Sequence, residues 1–423
     1  MKTICLTGGR IIDPSTESDE KRDLYFYDNK IISPKDAKNT EFIDVTGKIV
    51  FPGLVDLSCH INDLSGGNCE NIFSMTRAAA AGGYSTVVLM PNLNPIPDNP
   101  ATIQFINEQI KKDACINVKL TGCLTKGSNG KALAPLGSLK NAGVVAITDS
   151  PTSPQDNQIF CKAVEYASMF DLPVIDLPRD LSLSEEGNAH DGPIALKMGL
   201  GGYPRIAEEL FVQRAISISR SLKTKVHLSS ISSFGSVDLI KDAKNKGVMI
   251  TADVSPQHLA LTESKILNYD TNFKTTPPLR EEVDRKFLID GLMNGTIDCI
   301  SSSHEPVKEY EKNVEYDLAP SGVTSLETAL NISLQQLSKH PKFTWINLLK
   351  FMSLRPSEII KVEGGGLGVG SIANIVIFDP LKKWKYCSKE GKSRAFNTPF
   401  NNSEFSGKVI QTYFKGKASQ NIT

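Results

Sequence analysis

From Gly53 to about residue 303 the chain alternates short apolar runs with longer stretches in which apolar positions return every three to four residues. The runs near 53–60, 84–91, 116–124, 143–149, 172–177, 225–230, 248–255 and 297–303 are bounded by Gly, Pro, Asn and Asp, the signature of buried strands. Between them Ile72 to Ala81, Thr102 to Lys112, Asn157 to Phe170, Arg205 to Ser221 and Ser236 to Lys246 carry helical periodicity. Eight strands alternating with helices over about 300 residues predict an α/β chain folded as a (β/α)8 TIM barrel. The alternative, a doubly wound sheet, lacks its Gly-rich dinucleotide fingerprint after the first strand.

Residues 1–52 follow another pattern. Ile4 to Leu6, Arg10 to Ile12, Leu24 to Tyr27, Lys30 to Ile32 and Phe42 to Asp44 are short strands separated by turn residues. Beyond a last helical pair, Ser325 to Leu337 and Thr344 to Met352, a glycine-rich linker at 362–370 leads into the strand Ala373 to Phe378. The predicted organisation is a small β domain built from both termini, 1–52 with 361–423, flanking a barrel over 53–360. The linker glycines precede neither a Lys-Ser/Thr pair nor a helix, so they do not form a phosphate loop.

Composition narrows the function classes. With 47 basic and 47 acidic residues the formal net charge is zero, which gives no footprint for nucleic acid or an anionic membrane. No apolar stretch approaches the roughly 20 residues of a membrane span, and the N-terminus turns polar too soon for a signal peptide. Eight cysteines without a C-x-x-C pair are expected as free thiols in a reducing cytoplasm.

Chemistry in such a barrel sits at the C-terminal ends of strands. Strand 1 ends Ser58-Cys-His60, strand 4 Thr148-Asp149-Ser150-Pro151, strand 5 Ile175-Asp176-Leu177, strand 6 His227-Leu-Ser-Ser230 and strand 8 Ser301-Ser-Ser303-His304-Glu305-Pro306. These ends stand among further stretches: Pro52-Gly-Leu-Val-Asp-Leu57, Thr76-Arg-Ala-Ala-Ala-Ala-Gly-Gly83, Met90-Pro-Asn-Leu-Asn-Pro95, Tyr269-Asp-Thr-Asn-Phe-Lys274, Pro277-Pro-Leu-Arg280, Gly295-Thr-Ile-Asp298 and Asn397-Thr-Pro-Phe400. In that order, over nearly the whole chain, the sequence resembles the dihydroorotases of the amidohydrolase superfamily.

The resemblance implies a barrel with a terminal β domain, and zinc-activated water attacking a cyclic amide with an aspartate moving the proton. It also implies metal ligands at six positions, and five of them have changed. The first strand-1 histidine is Ser58, while His60 keeps the second. The strand-4 aspartate falls on Ser150, or on Asp149 if the alignment shifts by one. The strand-5 histidine is Leu177, the second strand-6 histidine is Ser230, and the strand-8 aspartate, the family base, is Ser303. Of the substrate contacts Asn92 is kept, and the arginine two residues after the second strand-1 histidine is Asn62.

Zinc takes three or four His, Cys or carboxylate ligands, and hydroxyls and leucine do not replace them. No cofactor is expected. His227 is expected to be structural and His60 bonded to neighbours; His304 and Asp149 are the best candidates for any surviving activity, with packing or capping roles favoured over it; His190, His258 and His340 read as helix or loop residues. Ser303 and His304 are adjacent on a strand and point opposite ways, which rules against a nucleophile–base pair. The expected function is that of a non-catalytic dihydroorotase homologue, a pseudo-dihydroorotase. Such relatives serve as partners of aspartate carbamoyltransferase, so the resemblance implies a homodimeric, cytoplasmic partner of that enzyme in pyrimidine biosynthesis. The rival expectation is an active dihydroorotase or other cyclic amidohydrolase with a rearranged site.

Overall fold

The computed structural model describes residues 2–62, 64, 69–185 and 187–419. Eight parallel strands form the barrel: β1 (Leu54–Cys59), β2 (Tyr84–Leu89), β3 (Asn117–Cys123), β4 (Ala146–Thr148), β5 (Val174–Asp176), β6 (Val226–Leu228), β7 (Ile250–Val254) and β8 (Cys299–Ile300). Each hydrogen-bonds to the next in sequence order. The ring closes through a parallel bridge between Cys59 and His304, in which the His60 N–H donates to the His304 carbonyl at 2.8 Å. The seam therefore lies at the mouth, between the two strand ends that carry Ser58 and Ser303.

Every predicted barrel strand is present, because a run of Val, Ile and Leu buried on both faces can only be an inner strand. The helices follow their amphipathic stripes and begin at side-chain caps. Asn71 and Ser74 form a reciprocal box at the start of Ile72–Ala81, and Asp156 accepts from two amides at the start of Asn157–Ser168. The predicted helix over 344–352 is instead Trp345–Leu349, a π-helical turn over Lys350–Leu354, and Arg355–Ile359. Val55, Leu57, Val88, Ile175 and Cys299 cluster with Ile360, which follows the last of these helices.

The termini interleave beside the barrel. Ile49–Pro52 pairs antiparallel with Ile375–Phe378 and parallel with Arg10–Ile11, and Glu404–Phe414 extends the sheet as the partner of Ile375–Lys385. A four-stranded sheet of Thr3–Thr7, Leu24–Tyr27, Lys30–Ile32 and Thr40–Asp44 completes the small domain. Leu6, Ile11, Phe26, Val50, Ile375 and Tyr413 share its core. Two of its strands carry no sequence signal of their own. Ser18–Lys21 is wholly polar, and Ile49–Pro52 runs into the Pro-Gly step that announces the barrel.

Candidate functional site

The six strand-end positions converge. Ser58, His60, Ser150, Leu177, Ser230 and Ser303 all line one cavity of about 350 Å³ at the C-terminal mouth of the barrel. A register shift between Asp56 and Cys59 interrupts the alternation of β1, yet Ser58 and His60 both reach the cavity while Cys59 joins the buried apolar core.

His60 is held from behind. Its Nδ1 lies 2.7 Å from Asn92 Oδ1, and the Asn92 amide donates to Asn62 Oδ1 at 3.0 Å. A carbonyl oxygen only accepts, so Nδ1 carries the proton and Nε2, 3.5 Å from Ser58 Oγ, is left as an acceptor. Asn92 and Asn62, predicted as substrate contacts, form a hydrogen-bonded chain behind His60. Across the mouth, Ser230 Oγ and Ser303 Oγ are 3.2 Å apart. Both residues have left-handed backbones, φ 57° and 49°, a region that non-glycine residues visit mainly at turns and functional sites.

At the end of β4 Ser150 lines the cavity and Asp149 does not. Asp149 turns from the cavity and accepts from the amides of Leu124 and Thr125 at 2.9 and 3.0 Å and from Thr125 Oγ1 at 2.5 Å. Burial raises its pKa against the pull of those bonds. The Asp176 carboxylate is likewise engaged, by Ser153 Oγ at 2.6 Å and Arg214 at 3.1 Å. His227 Nε2 donates to Asp253 Oδ2 at 3.0 Å, its Nδ1 lies 2.9 Å from Thr251 Oγ1, and Asp253 Oδ1 accepts the Ser230 amide at 2.7 Å. His304 is fully buried, with Nδ1 accepting from the Ser325 amide at 3.2 Å and Nε2 3.6 Å from Glu70. Ser303 lines the cavity and His304 does not.

Strand 7 supplies what the strand-end reading omits. The stretch after Val254 forms the short helix Pro256–Ala260 and sends Gln257 and His258 into the cavity wall. His258 Nδ1 lies 2.7 Å from Ser255 Oγ and Nε2 3.2 Å from the Pro278 carbonyl; burial pushes its pKa down to about 4, so the ring is neutral. His190 also departs from its reading as a helix or loop residue. It sits buried on the two-residue strand Ala189–His190, 3.1 Å from Arg280, with its pKa lowered to about 4 by burial. Loops complete the wall with Arg179, Thr275, Glu305 and Ser321. The loop bearing Ser321 is tied down by two buried lysines: Lys274 donates to the carbonyls of Tyr316 and Asp317, and Lys312 to those of Thr271 and Pro320.

Among the described residues no group of three or more His, Cys, Asp or Glu side chains could hold a metal ion. At the six ligand positions His60 alone supplies a nitrogen. This donor set does not fit zinc.

Solved structures share the fold. L-Hydantoinase (dihydropyrimidinase) from Arthrobacter aurescens matches with a TM-score of 0.88 at 20% identity, covering 99% of this chain and 96% of that one. Dihydropyrimidinase from Brevibacillus agri NCHU1002 matches at 0.85, again at 20% identity over 99% and 96% of the two chains. The amidohydrolase family model matches residues 185–419, and the dihydro-orotase-like model residues 47–236. Dihydroorotase from Syntrophotalea carbinolica is 37% identical over 99% of both chains, and that from Endomicrobium trichonymphae is 36% identical over 96% of this chain and 97% of its own. The chain belongs to the dihydroorotase family.

No helix among the described residues is long and apolar enough to cross a membrane.

Proposed function

We propose that this chain is a non-catalytic member of the dihydroorotase family that acts in pyrimidine biosynthesis as an assembly partner of aspartate carbamoyltransferase, as a homodimer in the cytoplasm. One observation carries the reading. The mouth cavity is intact, but Ser58, Ser150, Leu177, Ser230 and Ser303 line it where zinc ligands and a proton-transferring carboxylate are needed. Without a metal, water keeps a pKa near 16 instead of about 7. The neutral His258 ring has both nitrogens engaged, Asp149 and Asp176 are committed to structural bonds, and the one carboxylate residue in the cavity wall among the described residues, Glu305, comes two residues after the position of the family base, Ser303. The barrel around the cavity stays closed, which suits a protein whose surface matters more than its mouth.

The experiment pairs two measurements on the purified chain. Elemental analysis is expected to find well under one zinc per chain, with dihydroorotate hydrolysis at background. A tightly held zinc together with turnover would establish the rival, an active cyclic amidohydrolase. Co-expression with aspartate carbamoyltransferase and light scattering after size exclusion is expected to give one complex, burying on the order of 1,200–2,000 Å². Separate elution at micromolar concentration would remove the partnership.

A further inference from the structure

A second and larger cavity, about 540 Å³, opens at the opposite, N-terminal end of the barrel beneath β5 to β8. Its floor is apolar, with Leu172, Val226 and Ile250, and its rim is charged. Three acidic residues line it, and each has a basic partner: Asp171 bonds Lys361, Glu358 bonds Arg355 at 2.9 Å, and Asp298 bonds Lys244 at 2.7 Å. Two further lysines at the rim, Lys223 and Lys225, have exposed side chains with no carboxylate partner among the described residues. The excess of positive charge is felt locally. Asp171 is held below the usual carboxylate range first by Lys361 and then by the fields of Lys140 and Lys225.

The backbone gives an independent sign. Where a barrel helix turns into the next strand, one residue adopts the left-handed conformation, for which glycine is the ordinary choice. Gly247 and Gly295 serve that purpose before β7 and β8. Around the cavity the same position is Asp171 (φ 53°) before β5, Lys223 (φ 51°) before β6 and Lys361 (φ 56°) after Arg355–Ile359. Asp171 and Lys361 bond each other across the rim, and Lys223 has no such partner among the described residues. All three converge on one cavity.

We infer that this cavity is a binding site for a small organic anion, an acidic head group on an apolar body, separate from the mouth. The head group would lie against Lys223 and Lys225 and the body on the Leu172–Val226–Ile250 floor. The inference does not depend on whether the mouth is catalytic.

The test uses the full-length chain and 1-anilinonaphthalene-8-sulfonate, whose fluorescence rises in an apolar site. One probe per chain is expected, with affinity falling as salt screens the lysines. Lys223→Asn with Lys225→Gln should weaken binding roughly tenfold. Asparagine tolerates the left-handed backbone, and a thermal melt verifies that the variant is folded. Leu177→Trp, which fills the mouth, should leave the probe's affinity unchanged. Loss of binding in Leu177→Trp with retention in the lysine variant would put the probe in the mouth and overturn the inference. A lowered melting temperature with unchanged affinity in the lysine variant would reduce the two side chains to helix caps and overturn it equally.

Discussion

At the scale of single residues, four serines, one leucine and one histidine meet at the strand ends that line the mouth. Ser230 and Ser303 hold left-handed conformations that polar catalytic residues commonly occupy, yet each contributes only a hydroxyl to the other. Ser58→His is therefore expected to restore neither zinc nor turnover, since positions 150, 177, 230 and 303 still lack ligands. Metal content by elemental analysis decides it, and a stoichiometric zinc in that variant would show the site is nearer completion than its side chains indicate. Asp253 has a different standing. It accepts from His227, the Ser230 amide and Ser229 Oγ while fully buried. Asp253→Ala should cost about 3–5 kcal/mol in urea unfolding, because it strands these donors in the core. A loss below about 1 kcal/mol would mean that water or a rearranged neighbour satisfies them. Which strand ends matter was legible from barrel geometry. The fate of Asp149 was not, because a one-residue shift changes which side chain enters the cavity, and only the Leu124 and Thr125 amides decide between them.

At the scale of elements, the short helix Pro256–Ala260 shows what the pattern of strands leaves hidden. Ser255 caps it and also holds the His258 ring, so one serine fixes both the helix start and a wall of the mouth. The folded ring has a pKa of about 4 against 6.5 when free. Between those values the unfolded chain takes up a proton that the folded one refuses, so this residue's contribution to stability falls as pH drops from 6.5 toward 4. Buried carboxyls with raised pKa, such as Glu327, act in the opposite direction over the acid range. The comparison is therefore made against His258→Gln, which can keep both hydrogen bonds. The urea midpoint of the native chain should drop more steeply than the variant's between pH 6.5 and 4, and parallel curves would refute the assignment. The sequence announces such a helix weakly, through Ser255-Pro256 directly after a strand. Arg179, Thr275 and Ser321 arrive on loops with no periodic signal, so nothing local marks them as neighbours.

At the scale of the whole molecule, barrel and terminal domain share one dependency. Apolar patterning made the barrel legible, whereas the pairing of Ile49–Pro52 with Ile375–Phe378 has no local cause and was visible only as a likeness between two ends. Deleting residues 371–423 should expose Ile49–Pro52 as a bare apolar edge, and aggregation of that variant in light scattering is the expected outcome. A soluble, monodisperse product would show that the barrel needs no terminal sheet. The same pairing sets a schedule for synthesis. About 320 residues separate these partners. At about 5–20 residues per second, Ile49–Pro52 leaves the ribosome on the order of tens of seconds before its mate exists. Through that interval the nascent chain carries an open sheet edge, and anything that shields nascent apolar strands acts on this protein there first.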